Sequence, residues 1–140
     1  MATEAQSTAK PQKPLGLILA RNFLTNLSTA AFLVDRDGGI IFYNEAAGGL
    51  LGISFEEFGR KPAEEWGGAI GPFGDDGEPM PIDDLPTTKA LRAGRPAYGQ
   101  FTIRSVKGEE HQIEAAALPI VALEEQEGAM IFFWPRAEAP

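Results

Sequence analysis

Apolar residues recur at helical spacing from Leu15 to Leu27, where Leu17, Leu19, Ala20, Phe23, Leu24 and Leu27 form a broad stripe. Arg21, Asn22, Thr25 and Asn26 make the other face, while Leu15 and Ile18 leave the first turn apolar nearly all round. The spacing predicts an amphipathic helix over 15–27. The period then shortens. "AFLVD" and "IIFYN" are short runs of β-branched and aromatic residues separated by "RDGG". Asp37, Gly38 and Gly39 are residues that tolerate the positive φ of a tight hairpin. Both faces of this hairpin are apolar, so both are expected to be covered. Asn44 follows at a position suited to cap a short helix, "EAAGGLL", whose Gly48 and Gly49 make it dependent on packing. Ser54 and Glu57 have the spacing of a capping box.

Residues 66–84 show no regular period and are rich in Gly, Pro and acids, which reads as a long surface loop. Pro86 opens a further helix that Gly94 ends. The last third is strand: "AYGQFTIRS" alternates, "HQIEAAALPIV" returns, and "AMIFFW" follows a polar loop over 124–128. Residues 1–14 and 135–140 read as tails, the first disordered. The order predicts one α+β domain, a five-stranded antiparallel sheet with short helices on one face over 28–134, preceded by the 15–27 helix.

Composition narrows the chemistry. The 140 residues carry a net charge of −8, which points away from nucleic acid and from anionic membrane surfaces. No run is long and apolar enough for a membrane span, and no signal-like segment opens the chain. The absence of cysteine excludes disulfides, thiolate metal sites, thiol nucleophiles and a flavin–cysteine photo-adduct, and makes the cytoplasm the default compartment. His111 is the sole histidine. It shares strand parity with Ile113, Ala115 and Ala117, yet one histidine is weak ground for haem ligation or a catalytic triad. The acids Asp75, Asp76, Glu78, Asp83 and Asp84 lack the spacing of a calcium loop. No metal site and no catalytic group are therefore assigned.

"FLVDRDGGIIFYNEAAGGLLG", "SFEEFGRKPAEEW", "DDGEPMPIDDLPTTKALRAGRP", "GQFTIRSVKGEEHQIEAAALPI" and "GAMIFFW" follow one another as the segments of a PAS domain do, and the chain resembles that family from about residue 28 to residue 134. The resemblance implies a sensory or interaction module of bacterial type. Such modules hold a small molecule, haem or flavin in a cup between sheet and helices, or simply dimerise. The cup lining expected here is Phe42, Leu51, Phe58, Trp66, Leu91, Phe101, Ile103, His111, Ala115 and Ala117, with the cofactor unknown and haem or flavin disfavoured. The preceding helix matches one that often mediates dimers in the family, so Leu15, Ile18, Leu19 and Phe23 are the expected homodimer interface. The family usually continues past its last strand into a signalling helix. Here "WPRAEAP" follows, and Pro135 interrupts any helix at that point. The expected function is non-catalytic signalling through a homodimer and a partner in trans. The alternatives are a small-molecule sensor with an occupied cup and, third, a small acidic enzyme.

Overall fold

Backbone pairing collects the strand-like runs into one sheet. The computed structural model describes residues 15–122 and 125–136, with the backbone alone at 66–69, 82 and 122. The tail expected at 1–14 lies outside the described residues, as do 137–140. In chain order the elements are α1 (Leu15–Thr25), β1 (Ala30–Asp35), β2 (Ile40–Tyr43), α2 (Glu45–Leu51), α3 (Phe55–Phe58) and α4 (Ala63–Ile70). A 3-10 turn (Ile82–Asp84), α5 (Pro86–Ala93), β3 (Ala97–Arg104), β4 (Glu110–Ala122) and β5 (Glu125–Pro135) follow. The five strands lie in the order β2-β1-β5-β4-β3, antiparallel throughout.

Helix α1 stops at Thr25, two residues before its apolar stripe does. Asn26 and Leu27 close a tighter turn onto the carbonyls of Phe23 and Leu24, and the Thr25 and Asn26 side chains bond back to Arg21 and Asn22. The β1–β2 turn is held by Asp35, whose Oδ1 accepts from the N–H groups of Asp37 and Gly39. Gly38 supplies the positive φ, at 86°. Asp37 thus serves the turn through its backbone, and Asp35 contributes the side chain.

A β-bulge follows. Leu33 stands opposite Phe42 but Val34 opposite Ile40, so Ile41 is an extra residue in β2. Alternation breaks there. Ile40 and Tyr43 face one core, whereas Ile41 and Phe42 face the other.

The segment expected to be a surface loop is more ordered and more buried. Helix α4 runs through Ile70, and Ile70, Gly71, Pro72 and Phe73 are buried. Phe73 exchanges two backbone hydrogen bonds with Thr102, at 2.8 and 2.9 Å, along the outer edge of β3. On the opposite edge Lys61 exchanges two with Ile40, at 2.8 and 3.1 Å. The polar 124–128 stretch also differs from expectation: from Glu125 on it is strand, Val121 pairing with Gln126 and Ala122 with Glu125. Pro135, read as tail, is the last residue of β5, and the Arg136 N–H still reaches the Gln112 carbonyl at 2.9 Å.

Both sheet faces are covered, unequally. The larger core joins α2–α5 to one face through Phe32, Tyr43, Leu51, Ile113, Ile131 and Phe133. Ala90, Ala115 and Ala117 have no exposed surface, and these small side chains let α5 lie against β4. On the other face Leu17, Ala20 and Leu24 of α1 pack on Ala31, Leu33 and Phe42. Gly128 is the crossing point. A Cβ there would collide with the Val34 carbonyl oxygen and come within 3.0 Å of Leu17 Cδ2.

Candidate functional site

Two regions carry the polar and apolar groups from which function can be built: the cup under α2–α5, and the face of the sheet that α1 crosses.

Asn44 stands at the junction of the two. Its side chain is buried and all its bonding capacity at that point is used. Oδ1 accepts from Ala47 N–H at 3.0 Å, capping α2, and from Ala31 N–H at 3.1 Å. Nδ2 donates to the Leu24 carbonyl at 3.0 Å and the Thr29 carbonyl at 2.8 Å. One amide thereby ties the end of α1, the following connection, β1 and the start of α2. The cap is legible in sequence; the three other bonds depend on tertiary placement. Next to it, the Tyr43 hydroxyl donates to the Ile53 carbonyl at 2.6 Å. Burial, with Glu56 and Glu57 nearby, pushes the phenol above its ordinary value.

The cup encloses a cavity of about 30 Å³. Its walls are Phe101 and Ile103 from β3, Ile113, Ile131, Phe133 and Phe32 from the other strands, Ile70–Pro72, and Leu85–Thr87 at the start of α5. Thr87 is the one polar side chain in this lining and is buried. Of the residues expected to line the cup, Phe101 and Ile103 do. Leu51, Phe58, Ala115 and Ala117 belong to the same core but stand back from the cavity. Leu91 packs half-buried against that core and borders an outer crevice beside Arg36 and Arg92. His111 pairs with Ile103 at the end of β4, half-buried and away from the cavity. The Trp66 side chain lies outside the described residues. Phe42 is a correction: the bulge turns it to the α1 face, where Arg21 stacks over its ring at 4.6 Å. The Ile70–Pro72 and Leu85–Thr87 walls were not expected: the first lies in the Gly- and Pro-rich 66–84 run, which has no periodicity to betray an inward face, and the second where that run meets α5.

Three acids of the 75–84 stretch are engaged, each singly. Asp76 accepts from the Glu78 N–H, and Asp83 pairs with Arg92 at 2.8 Å. Asp75 stands 3.8 Å from Arg136. Among the described residues no group of three or more acids or histidines is placed to hold a metal ion, and no helix is long and apolar enough to cross a membrane.

On the α1 side the helix divides its apolar stripe. Leu17, Ala20 and Leu24 are buried, but Leu15, Ile18, Leu19 and Phe23 are 65%, 41%, 58% and 55% exposed. Leu19 and Phe23 therefore do not share the buried stripe in which the periodicity placed them. Beyond α1 the sheet carries a polar–aromatic cluster. The Glu114 carboxylate accepts from Tyr98 Oη at 2.7 Å, Gln100 Nε2 at 2.9 Å and Trp134 Nε1 at 3.1 Å. Those donors, Tyr98 first, hold Glu114 below its ordinary value, and the same bond raises that of Tyr98.

No protein-family model and no curated protein matches the sequence. The architecture does match solved structures. The PAS domain of nitrogen regulation protein NR(II) from Vibrio parahaemolyticus is 18% identical, with 84% of this chain and 98% of that one covered and a TM-score of 0.59. The PAS domain of the fruit-fly ELK potassium channel is 11% identical, with 85% and 95% covered and a TM-score of 0.64. The light-state dimer of the fungal blue-light photoreceptor Vivid is 16% identical, with 89% and 95% covered and a TM-score of 0.58. At these identities the likeness establishes the fold: the chain has the PAS architecture, with a helix preceding the sheet.

Proposed function

We propose that the chain is a non-catalytic signalling module of the cytoplasm that acts by protein–protein contact, as a homodimer with an output partner in trans. The observation that carries this is the outer face of α1, where four large apolar side chains stand exposed together. Scattered exposed apolar residues need no explanation, but a cluster of them on one short helix marks a contact surface. The cup supports the same reading. Its cavity of about 30 Å³ is close to the space of a single water, whereas drug-sized ligands occupy pockets of roughly 300–1,000 Å³.

The test is light scattering on the purified protein. A dimer that Leu19→Glu converts to monomer supports the proposal; a dimer that survives the substitution removes α1 from the interface. A second reading, a sensor of a small apolar molecule, rests on Thr87, a buried hydroxyl in an otherwise apolar wall. Native mass spectrometry separates the two. A bare protein mass favours the packed core, and a co-purified small molecule favours the sensor.

A further inference from the structure

Helix α2 carries two adjacent glycines, and the fold accounts for one of them. At Gly48 a Cβ would stand 3.3 Å from the Ile53 carbonyl oxygen and 3.6 Å from the Tyr43 ring, so the close turn towards α3 favours glycine there. Gly49 differs. It takes no positive φ, and a Cβ at that position would meet nothing within 4 Å. Glycine inside a helix is destabilising relative to alanine. Neither backbone geometry nor packing within the described residues offsets that loss. Glycine also serves where another molecule must come close to the backbone.

Gly49 opens onto a groove of about 780 Å³ between the polar flank of α1 and the α2–α3 pair. That size falls among the pockets of roughly 300–1,000 Å³ that hold ligands, unlike the small cavity of the cup. Aromatic rings line it. Phe55 meets Phe42 and Tyr43 edge-on, at ring separations of 5.5 and 5.4 Å. Its rim is acidic. Glu45, Glu56 and Glu57 are exposed, and none of them forms an ion pair with a described residue. The cation in the lining, Arg21, is already placed over the Phe42 ring at 4.6 Å.

We infer that this groove receives a short segment of the output partner in which arginine alternates with apolar residues. The docking rests on the reading of the chain as a module with a partner in trans. Charge complementarity sets the occupant. Three carboxylates without ion pairs call for a cation, and an aromatic surface beside them favours the planar guanidinium, which stacks on rings and bonds a carboxylate through two N–H groups. Arg21 on Phe42 shows the same stacking within the chain. Apolar neighbours of the arginine rest on Ile53 and Phe55, both half-buried in the lining. The segment's backbone passes over Gly49, where any larger side chain would hold it away. The groove leaves Leu15, Ile18, Leu19 and Phe23 clear, so the partner and a second copy bind at the same time.

The probe is a fluorescein-labelled hexapeptide of alternating leucine and arginine, read by fluorescence anisotropy, with leucine–lysine and leucine–glutamate peptides as controls. The arginine peptide is expected to bind, the lysine peptide severalfold more weakly, and the glutamate peptide not at all. Equal binding of lysine and arginine would overturn the stacked guanidinium. Glu56→Gln combined with Glu57→Gln keeps the capping box, which glutamine also serves, and should raise the dissociation constant tenfold or more. Glu125→Gln removes an exposed acid on β5 and should change it less than twofold. Equal losses would mean attraction to the net charge of −8 alone, and would overturn the groove. Gly49→Phe should abolish binding. Gly49→Ala should raise the melting temperature by about 3 °C; a fall would mean that the fold itself needs this glycine, and would overturn its role in docking. Light scattering on the same samples separates the groove from the homodimer. A wild-type dimer that ignores the arginine peptide overturns the groove and leaves the homodimer standing. A monomer that binds it does the reverse. A dimer lost in the Glu56→Gln, Glu57→Gln variant would put a second copy in the groove and overturn the partner.

Discussion

Asn44 shows how much can depend on one amide. A cap residue alone contributes about 1 kcal/mol, but here two buried N–H groups and two carbonyls share the same side chain. Asn44→Ala should cost about 3 kcal/mol in denaturant unfolding, since buried polar groups left unpaired cost ~1–3 kcal/mol each before relaxation. Asn44→Asp keeps the acceptor, loses both donors and buries a charge, so it should destabilise at least as much at neutral pH; a smaller loss would mean the bonds to Leu24 and Thr29 matter little. Glu114 gives a pH prediction. Its folded value is lowered, so its stabilising contribution is present above the unfolded value of 4.5 and is lost as pH falls through the folded one. Tyr98 works in the opposite sense: its value is raised from 10.0, so its contribution is present below 10.0 and lost as pH rises through the folded value. In a Trp66→Phe background, acidification should shift Trp134 fluorescence with a midpoint below 4.5, and Glu114→Gln should remove that transition.

Among the elements, those with a clear period were legible and those whose order comes from tertiary contact were not. The alternation of Phe101 and Ile103 with Gln100 and Thr102 was enough to place β3 and its inner face. Proline before and glycine after set the bounds of α5, where Gly94 takes φ 67° as the C-cap. The bulge at Ile41 was invisible, because a run apolar on both faces carries no phase to show that one residue is extra, and Phe42 was assigned to the wrong core for that reason. The Ile70–Phe73 segment was read as loop because its order comes from a bridge to Thr102, a partner about thirty residues away. Helix α1 was found correctly, but its stripe was too broad to reveal which half faces the sheet. Its docking depends on Gly128, where any side chain meets β1 and Leu17 together. Gly128→Ala should therefore destabilise by about 2 kcal/mol, within the range for overpacking. Exchange protection should also fall at the α1 amides more than in α5. Equal loss in both would argue against a local effect on α1.

For the molecule as a whole, fold and function differ in how far the chain discloses them. Five strands and their helices follow from patterns spread over the length, whereas the proposed dimer would depend on a few exposed side chains that pattern alone cannot distinguish from core. If the chain dimerises, its melting temperature must rise with protein concentration by mass action, and Leu19→Glu should melt at one temperature across the same series. A concentration-independent wild-type melt would count against the dimer. The two bridges at the sheet margins bear on a different hazard. An open sheet offers rows of unpaired amides to any extended chain, the route to runaway aggregation. Here Lys61 already occupies the margin at Ile40, and Phe73 the margin at Thr102. An invading strand must first displace a bridge that makes two hydrogen bonds. Growth edge to edge into a fibril is thus opposed at both ends of the sheet, and the assembly proposed above would use its faces, closed and countable.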